Sequence, residues 1–361
     1  MKKLKIGIFV HQLQIYRLPI ISLLAEKYDV SVFCDNASDY ERASLNFMVI
    51  RRKVIQVGPF LMHSKNIIHD CKEMDVVIAL WNLRCLDLLF LGLMRWRLFG
   101  LIYWGIGTSG SYTKKFGSKS FTTVLRNLMG VLADAVIVYS SFPTPSLKAT
   151  GMSGKRIFIA NNTVANTAAF LEGTAHKNSI LFIGSLYKEK GIADLIASYN
   201  EGYCDIGSLM PDLDIIGDGS ESETLRRLVN DLGLESKINF HGSIFDDHEL
   251  AEYFNRAIIC VSPRQAGLSV LRAMSFGICF VTSNDAITGG EILNIDNGRT
   301  GICYHNKSDL TSILTEAALH PQRFLAIGKN AKEYYEAERR PDQMADGISD
   351  AVEFVGGLRR P

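Results

Sequence analysis

Short apolar runs alternate with stretches whose apolar residues return every three or four positions, and this alternation holds along nearly the whole chain. Residues 5–10, 29–34, 74–80, 101–105 and 133–139 are short and mostly apolar, as strands buried on both faces are. Between them the spacing predicts helices over 18–27, 86–99 and 116–132. The pattern restarts with strands at 179–183, 213–216, 237–241, 258–261 and 278–282. Helices are predicted from 192 and over 221–232, 247–255 and 268–276. Two strand–helix series of similar size predict an α/β chain of two Rossmann-like, doubly wound domains facing across a cleft. The boundaries fall at 1–165 for the first domain, 166–178 for a small, polar linker and 179–338 for the second domain, which ends in helices over 308–318 and 322–338. Arg339, Arg340 and Pro341 break the pattern. Residues 342–355 then form a last amphipathic helix with Met344, Ile348, Val352 and Phe354 as its apolar members.

The stretch 258–283 carries the sharpest local signal. Ser262 and Pro263 stop a strand, because proline lacks the ladder donor and restricts its neighbour. Gly267 permits a tight turn into a helix that Gly277 ends, and a buried strand follows. A helix N-terminus is thereby aimed at the carboxyl edge of a parallel sheet. The amides of Gly267, Leu268 and Ser269 are free there to bind phosphate, flanked by Arg264 and Arg272. An ordinary sheet-covering helix with two solvated arginines explains this stretch equally well when it is taken alone. In the first half, His11, Arg17 and residues 104–107, beginning with Trp104, also fall at strand carboxyl ends, where ligands of doubly wound sheets bind. Loop roles with satisfied side chains remain open for them.

Composition narrows the classes. The net charge is +1, which gives no electrostatic support for nucleic-acid binding. The seven cysteines include no CxxC pair and the eight histidines no HExxH spacing, so neither a disulfide framework nor a metal site is predicted. Asp212 and Asp214 spell DxD, but they straddle a strand entry and are read as such. The basic start runs directly into a strand rather than a signal peptide, and residues 86–104 are too interrupted by Asp87, Arg95 and Arg97 to span a bilayer. A cytoplasmic protein is expected. Arg95, Trp96 and Arg97, and Lys119 and Arg126 among Phe121, Val124, Leu125, Leu128 and Met129, interleave basic and apolar residues. That can seat a protein on an anionic membrane surface, and a core helix packed on the sheet explains 86–99 equally well.

Five segments resemble family 4 glycosyltransferases, which have the GT-B fold. Phe182-Ile183-Gly184-Ser185-Leu186 with Glu189-Lys190-Gly191 is similar to "FVGRLxxEKG", and Ile215 to Gly219 to "IIGDG". Phe240-His241-Gly242 is similar to "FxG", residues 263–277 to "PSxxEGFGLxxLEAMAxG", and Glu291 with Asn297 to Gly301 to "PEIVxxGxTG". In the first half, Tyr16 to Pro19 and Tyr103 to Gly107 resemble the "YRxP" and "WGHG" of members that build bacterial surface polysaccharides. The resemblance implies retaining, metal-independent transfer of a sugar from a nucleotide-sugar donor, with no cofactor. The nucleotide would bind the second domain through Gly184, Ser185, Gly217, Gly267, Leu268, Ser269 and Arg272, and Lys190, Arg264 and Glu291 would serve the chemistry. A glycan or polyprenyl-linked sugar acceptor would meet His11, Arg17 and Trp104. The last helix would cross back to the first domain, and the enzyme would sit at the inner face of the plasma membrane, in O-antigen, capsule or lipopolysaccharide assembly.

This chain departs from the family pattern where the chemistry is densest. Ser185 replaces the arginine of "GRL", Ile106 the histidine of "WGHG", and Arg264 and Arg272 replace paired glutamates. Arginine cannot accept a hydrogen bond, so the contacts of those glutamates are not copied. One account is relocation: Arg264 resupplies the charge missing at Ser185, Arg272 grips a phosphate or an acidic sugar, and Glu291 is the carboxylate left for sugar hydroxyls. The other is a non-catalytic GT-B subunit that binds a partner transferase or a glycan.

Overall fold

The computed structural model describes residues 3–40, 43–63, 67–94, 96–108, 116–118, 120–166 and 177–359. They form two compact units. The first comprises described residues from 3–108, 116–163 and 340–359, the second those from 164–339.

The first unit contains strands β1 (Lys5–Phe9), β2 (Asp29–Cys34), β3 (Met48–Arg51), β4 (Val54–Val57), β5 (Phe60–His63), β6 (Val76–Leu80), β7 (Gly100–Gly105), β8 (Ala135–Val138) and β9 (Ile157–Ile159). Its helices are α1 (Leu18–Lys27), α2 (Ile68–Lys72), α3 (Leu86–Leu93), α4 (Phe121–Val131), α5 (Thr144–Ala149) and the C-terminal helix Pro341–Arg359. All strands but β4 and β5 join one parallel sheet, in the order β3-β2-β1-β6-β7-β8-β9. The order reverses beside β1, which places a switch point at the loop after it. The C-terminal helix packs on α1 and on β7, β8 and β9, burying Met344, Ile348, Val352 and Val355. Gly100 makes room for it, since a side-chain carbon there would fall 2.1 Å from Val355 Cγ1.

Two elements differ from the predicted pattern. Helix α3 stops at Leu93 rather than 99 because Arg97 turns inward, donating to the carbonyls of Met94 and Leu132 and pairing with Asp134 at 3.1 Å. Helix α4 begins at Phe121, where the Ser120 hydroxyl accepts the Thr123 amide. It is turned inside out: Thr123, Asn127 and Gly130 are buried, and Phe121, Val124, Leu125 and Leu128 are exposed. Gly130 is required because Trp81 lies 2.5 Å from where its side chain would begin. Arg97 and Arg126 therefore do not form a basic surface with these apolar residues; Arg126 donates to the carbonyl of Thr108. Arg95 and Lys119 lie outside the described residues.

The second unit contains β10 (Ser179–Ile183), β11 (Asp212–Ile216), β12 (Ile238–Gly242), β13 (Ala257–Val261), β14 (Gln265–Ala266), β15 (Cys279–Ser283), β16 (Ile287–Thr288) and β17 (Ile302–Tyr304). Its helices are α6 (Ile192–Ile206), α7 (Ser222–Asp231), α8 (Asp247–Arg256), α9 (Leu268–Ser275), α10 (Lys307–Leu319) and α11 (Pro321–Glu338). A parallel sheet runs β12-β11-β10-β13-β15-β17, with β14 and β16 forming a short parallel ladder of their own. The order reverses at β10 and β13, so both units have the doubly wound form expected from the alternating pattern. Of the predicted linker, 167–176 lie outside the described residues.

Candidate functional site

In the second unit, four loops meet past the carboxyl ends of β10, β11 and β13. The first two lock together. Gly184 donates to the Ile216 carbonyl and Leu186 to that of Asp218, and a side-chain carbon at Gly217 (φ +142°) would fall 1.9 Å from the Gly184 oxygen. Only glycine serves at such a φ and such an approach. The chain then makes a single turn through Lys188–Lys190, and Gly191 at φ +71° leads into α6. The Lys190 amine is half-buried beside Gly184 and lies 5.4 Å from the Tyr187 ring centroid. Burial pushes its pKa down. No carboxylate pairs with it among the described residues, so an anion arriving here would relieve an unfavourable charge.

Arg264 lies directly over Gly191, and its amide donates to the Lys190 carbonyl. Its guanidinium is more than half exposed and pairs with Asp194, near the start of α6, at 2.7 Å. The β14–β16 ladder fixes the turn, and Ser262 Oγ donates to the Gln265 carbonyl. Gly267 caps α9 and opens onto free space. Leu268 and Ser269 occupy the first turn, where amides lack intrahelical acceptors. The turn Glu291–Asn294 packs against α9, and Glu291 Oε2 accepts from the Gly289 amide at 3.0 Å. Lys190, Gly184 and Arg264 are thus neighbours, with the Gly267 turn on the same strand end as Arg264. Ser185 is exposed in the first of these loops. Arg272 is different: its guanidinium holds Asp247 at the start of α8 at 2.7 Å, with both side chains about four-fifths covered. It ties two helices together, so the phosphate or acidic-sugar grip expected of it is not what this structure displays.

Asp214 lies beneath this edge. It is 1% exposed and accepts two hydrogen bonds from Arg256 and one from His241 at 2.8 Å, while Asp212 pairs with Lys237. Both DxD carboxylates are thus engaged by cations. Among the described residues, no group of three or more His, Cys, Asp or Glu side chains is arranged to hold a metal.

In the first unit, a cavity of about 550 Å³ opens past β1 and β6, lined by His11, Gln12, Gln14, Arg17, Asp35, Gln56 and Arg84 among others. His11 and Arg17 meet there, as their shared position at strand ends suggests. Burial, and then the neighbouring His63, depress the His11 pKa, and its Nε2 lies 3.1 Å from Cys85 Sγ. Arg17 donates to the hydroxyls of Tyr16 and Tyr139 and stacks on Trp104 at 4.5 Å. Trp104 itself is 2% exposed in the core and does not line the cavity; it supports Arg17 from behind. Asp35, Arg84, Gln56 and Asp194 were not singled out in the sequence. Asp35 and Arg84 sit at strand ends, which is a usable signal, whereas the positions of Gln56 and Asp194 follow from tertiary contacts alone.

Residues 177–320 match the family model "Glycosyl transferases group 1". A stretch of 150 residues is 28% identical to a GDP-mannose-dependent alpha-(1-6)-phosphatidylinositol monomannoside mannosyltransferase of Mycobacterium tuberculosis, covering 38% of this chain and 37% of that protein. The chain thus matches little more than a third of the length of that curated relative. Anabaena Alr3699/HepE, solved with UDP and glucose, superposes over 97% of this chain and 99% of its own with TM-score 0.70 at 15% identity. The lipopolysaccharide outer core galactosyltransferase WaaB does so over 96% and 99% with TM-score 0.65 at 16% identity. The chain therefore has the GT-B fold, and within it residues 177–320 are similar to the glycosyl transferases group 1 family.

Proposed function

We propose that this GT-B chain is a retaining, metal-independent glycosyltransferase that moves a sugar from a nucleotide-sugar donor to a lipid-linked glycan acceptor during surface polysaccharide assembly. The observation that carries the reading is Lys190: a half-buried amine without a carboxylate partner among the described residues, beside Gly184 and the Arg264 turn. As the anomeric carbon–oxygen bond breaks, the departing diphosphate gains charge. Donors already in place lower that barrier more than donors that must reorganise. Lys190, Arg264 and the amides of Leu268 and Ser269 serve that role. Arg264 exchanges Asp194 for the diphosphate, and Glu291 meets sugar hydroxyls. The acceptor oxygen forms its bond on the face the diphosphate leaves, and its proton passes to a diphosphate oxygen.

The mannosyltransferase relative, named for a phosphatidylinositol acceptor, and the lipopolysaccharide galactosyltransferase support a lipid-linked acceptor. No helix among the described residues is long and apolar enough to cross a membrane. The outward apolar face of α4 supports seating on the inner membrane surface instead, by shallow insertion. A thermal-shift titration with UDP, GDP, ADP and CMP and their sugars tests the donor reading. At about a hundred times its dissociation constant, one nucleotide diphosphate should add roughly 2.7 kcal/mol to wild type and only about 0.4–1.4 kcal/mol to Lys190→Ala. No shift with any of them, with the protein folded, would favour the non-catalytic subunit.

A further inference from the structure

The hairpin β4–β5 stands apart from the parallel sheet, with a mixed face toward a cavity and an apolar face turned away from it. Register pairs Val54 with His63 and Gln56 with Leu61 on one face, and Ile55 with Met62 and Val57 with Phe60 on the other. Val54, Gln56 and Leu61 line the cavity. Ile55, Val57, Phe60 and Met62 are 40%, 60%, 41% and 37% exposed, four apolar side chains side by side on one face of two strands. A lone two-stranded hairpin is marginal in water, and an exposed apolar face adds to that. This one is tied down deliberately. The amide and Nδ1 of His63 both reach Asp87 Oδ2, at 2.8 and 2.6 Å, the Leu61 amide donates to the Arg84 carbonyl, and Arg84 Nε donates to Pro59 at the hairpin tip at 2.6 Å. Helix α3 packs against β5 and adds exposed Leu86, Phe90 and Leu93.

Charge on the cavity side has the complementary character. Arg17 and Arg84 both line it, and neither forms an ion pair among the described residues; their acceptors are hydroxyls and a carbonyl. Asp35 is the carboxylate in the lining, so the lining itself carries one more positive charge than negative. Two guanidinium groups lining one cavity suit a phosphate. An apolar face on the other side of the same strands suits a hydrocarbon chain.

We infer that this cavity holds the phosphate of a lipid phosphate, and that the hairpin is the wall over which its chain leaves. Arg17 and Arg84 grip the phosphate, Asp35 and Gln56 face hydroxyls of any sugar attached to it, and Ile55, Val57, Phe60 and Met62 lie in the hydrocarbon. The inference deepens the reading of the first unit as the acceptor side and rests on it.

Vesicle co-sedimentation of the full chain tests this. Phosphatidylcholine vesicles carrying a polyprenyl monophosphate should retain the protein far better than plain phosphatidylcholine or phosphatidylcholine with phosphatidylglycerol. Val57→Asp/Phe60→Asp should lower retention by roughly tenfold or more, because two side chains leave the hydrocarbon. Arg84→Gln should bring it down to the plain-vesicle level. Equal retention on phosphatidylglycerol would reduce the effect to a generic anionic surface and overturn the site. So would unchanged retention of correctly folded variants, or release by glucose 1-phosphate at the same concentration as by the lipid. The nucleotide shift is read on the same samples. Its loss in wild type with lipid binding intact would sink the transferase reading alone, and its survival with lipid binding absent would sink this inference alone.

Discussion

The two units share a doubly wound parallel sheet yet present opposite surfaces at their strand ends. The second is cationic at its strand edge and tightly locked: glycines interdigitate, arginines are tied to carboxylates, and Lys190 beside them has no carboxylate partner among the described residues. The first is looser, with a cavity walled on one side by a hairpin and, elsewhere, a helix whose apolar side faces outward. The same architecture supports both because a parallel sheet constrains its core, while its loops and outer helix faces answer to whatever they bind. A phosphate needs amides and cations held to fractions of an ångström. A lipid surface needs only apolar area.

The sharpest way to break this contrast is to unlock the second unit from beneath. Asp214→Ala leaves Arg256 and His241 without their shared carboxylate and should lower stability by about 3 kcal/mol, seen in urea unfolding. The same change at Asp35, in the cavity of the first unit, should leave the midpoint nearly unmoved. Gly217→Ala comes next. Its new methyl group collides with the Gly184 carbonyl at an unfavourable φ, so about 2 kcal/mol and the nucleotide shift should be lost together.

Lys190→Ala separates binding from stability: nucleotide diphosphate affinity should fall ten- to a hundredfold, about 1.4–2.8 kcal/mol, with the melting temperature held. The pH dependence carries a sign. The folded pKa of Lys190 lies below its unfolded value, so the unfolded chain binds more protons between the two. Stability of the free protein should therefore rise with pH through that window, while diphosphate affinity falls as pH passes the lowered pKa. Calorimetry of wild type across that range, against Lys190→Ala, checks both. Arg264→Ala should reduce affinity less and change stability by under about 1 kcal/mol, because its pair with Asp194 is largely exposed. Smallest in stability, Phe121→Asp on α4 should stay within about 0.5 kcal/mol of wild type while weakening vesicle retention. A large loss of stability there would show that the face is covered by protein rather than lipid.

Most of the second unit was legible because its signals are local. The apolar run 179–183 matches β10 at its observed bounds; in the first unit the same holds for strand 29–34 and helix 18–27. The strands missed, β3, β4, β5, β9, β14, β16 and β17, have two to four residues each, too few for an apolar run to stand out. Arg264 and Arg272 look alike in sequence, one just before a turn and the other one turn in. Their carboxylate partners, Asp194 and Asp247, lie 70 and 25 positions earlier, and those partners leave one exposed at the loop edge and turn the other into a brace between helices.

What the sequence determined by itself was the alternation of strands and helices, the glycine turns and the helix that opens at Gly267, because backbone conformation and hydrophobic periodicity act over a few residues. Only the tertiary structure decided which charges are already paired, that Trp104 supports Arg17 from the core, and that α4 turns its apolar side outward. Those outcomes depend on groups brought together from distant positions. A side chain's pattern states what it prefers to face, but the neighbours that occupy the space decide what it does face.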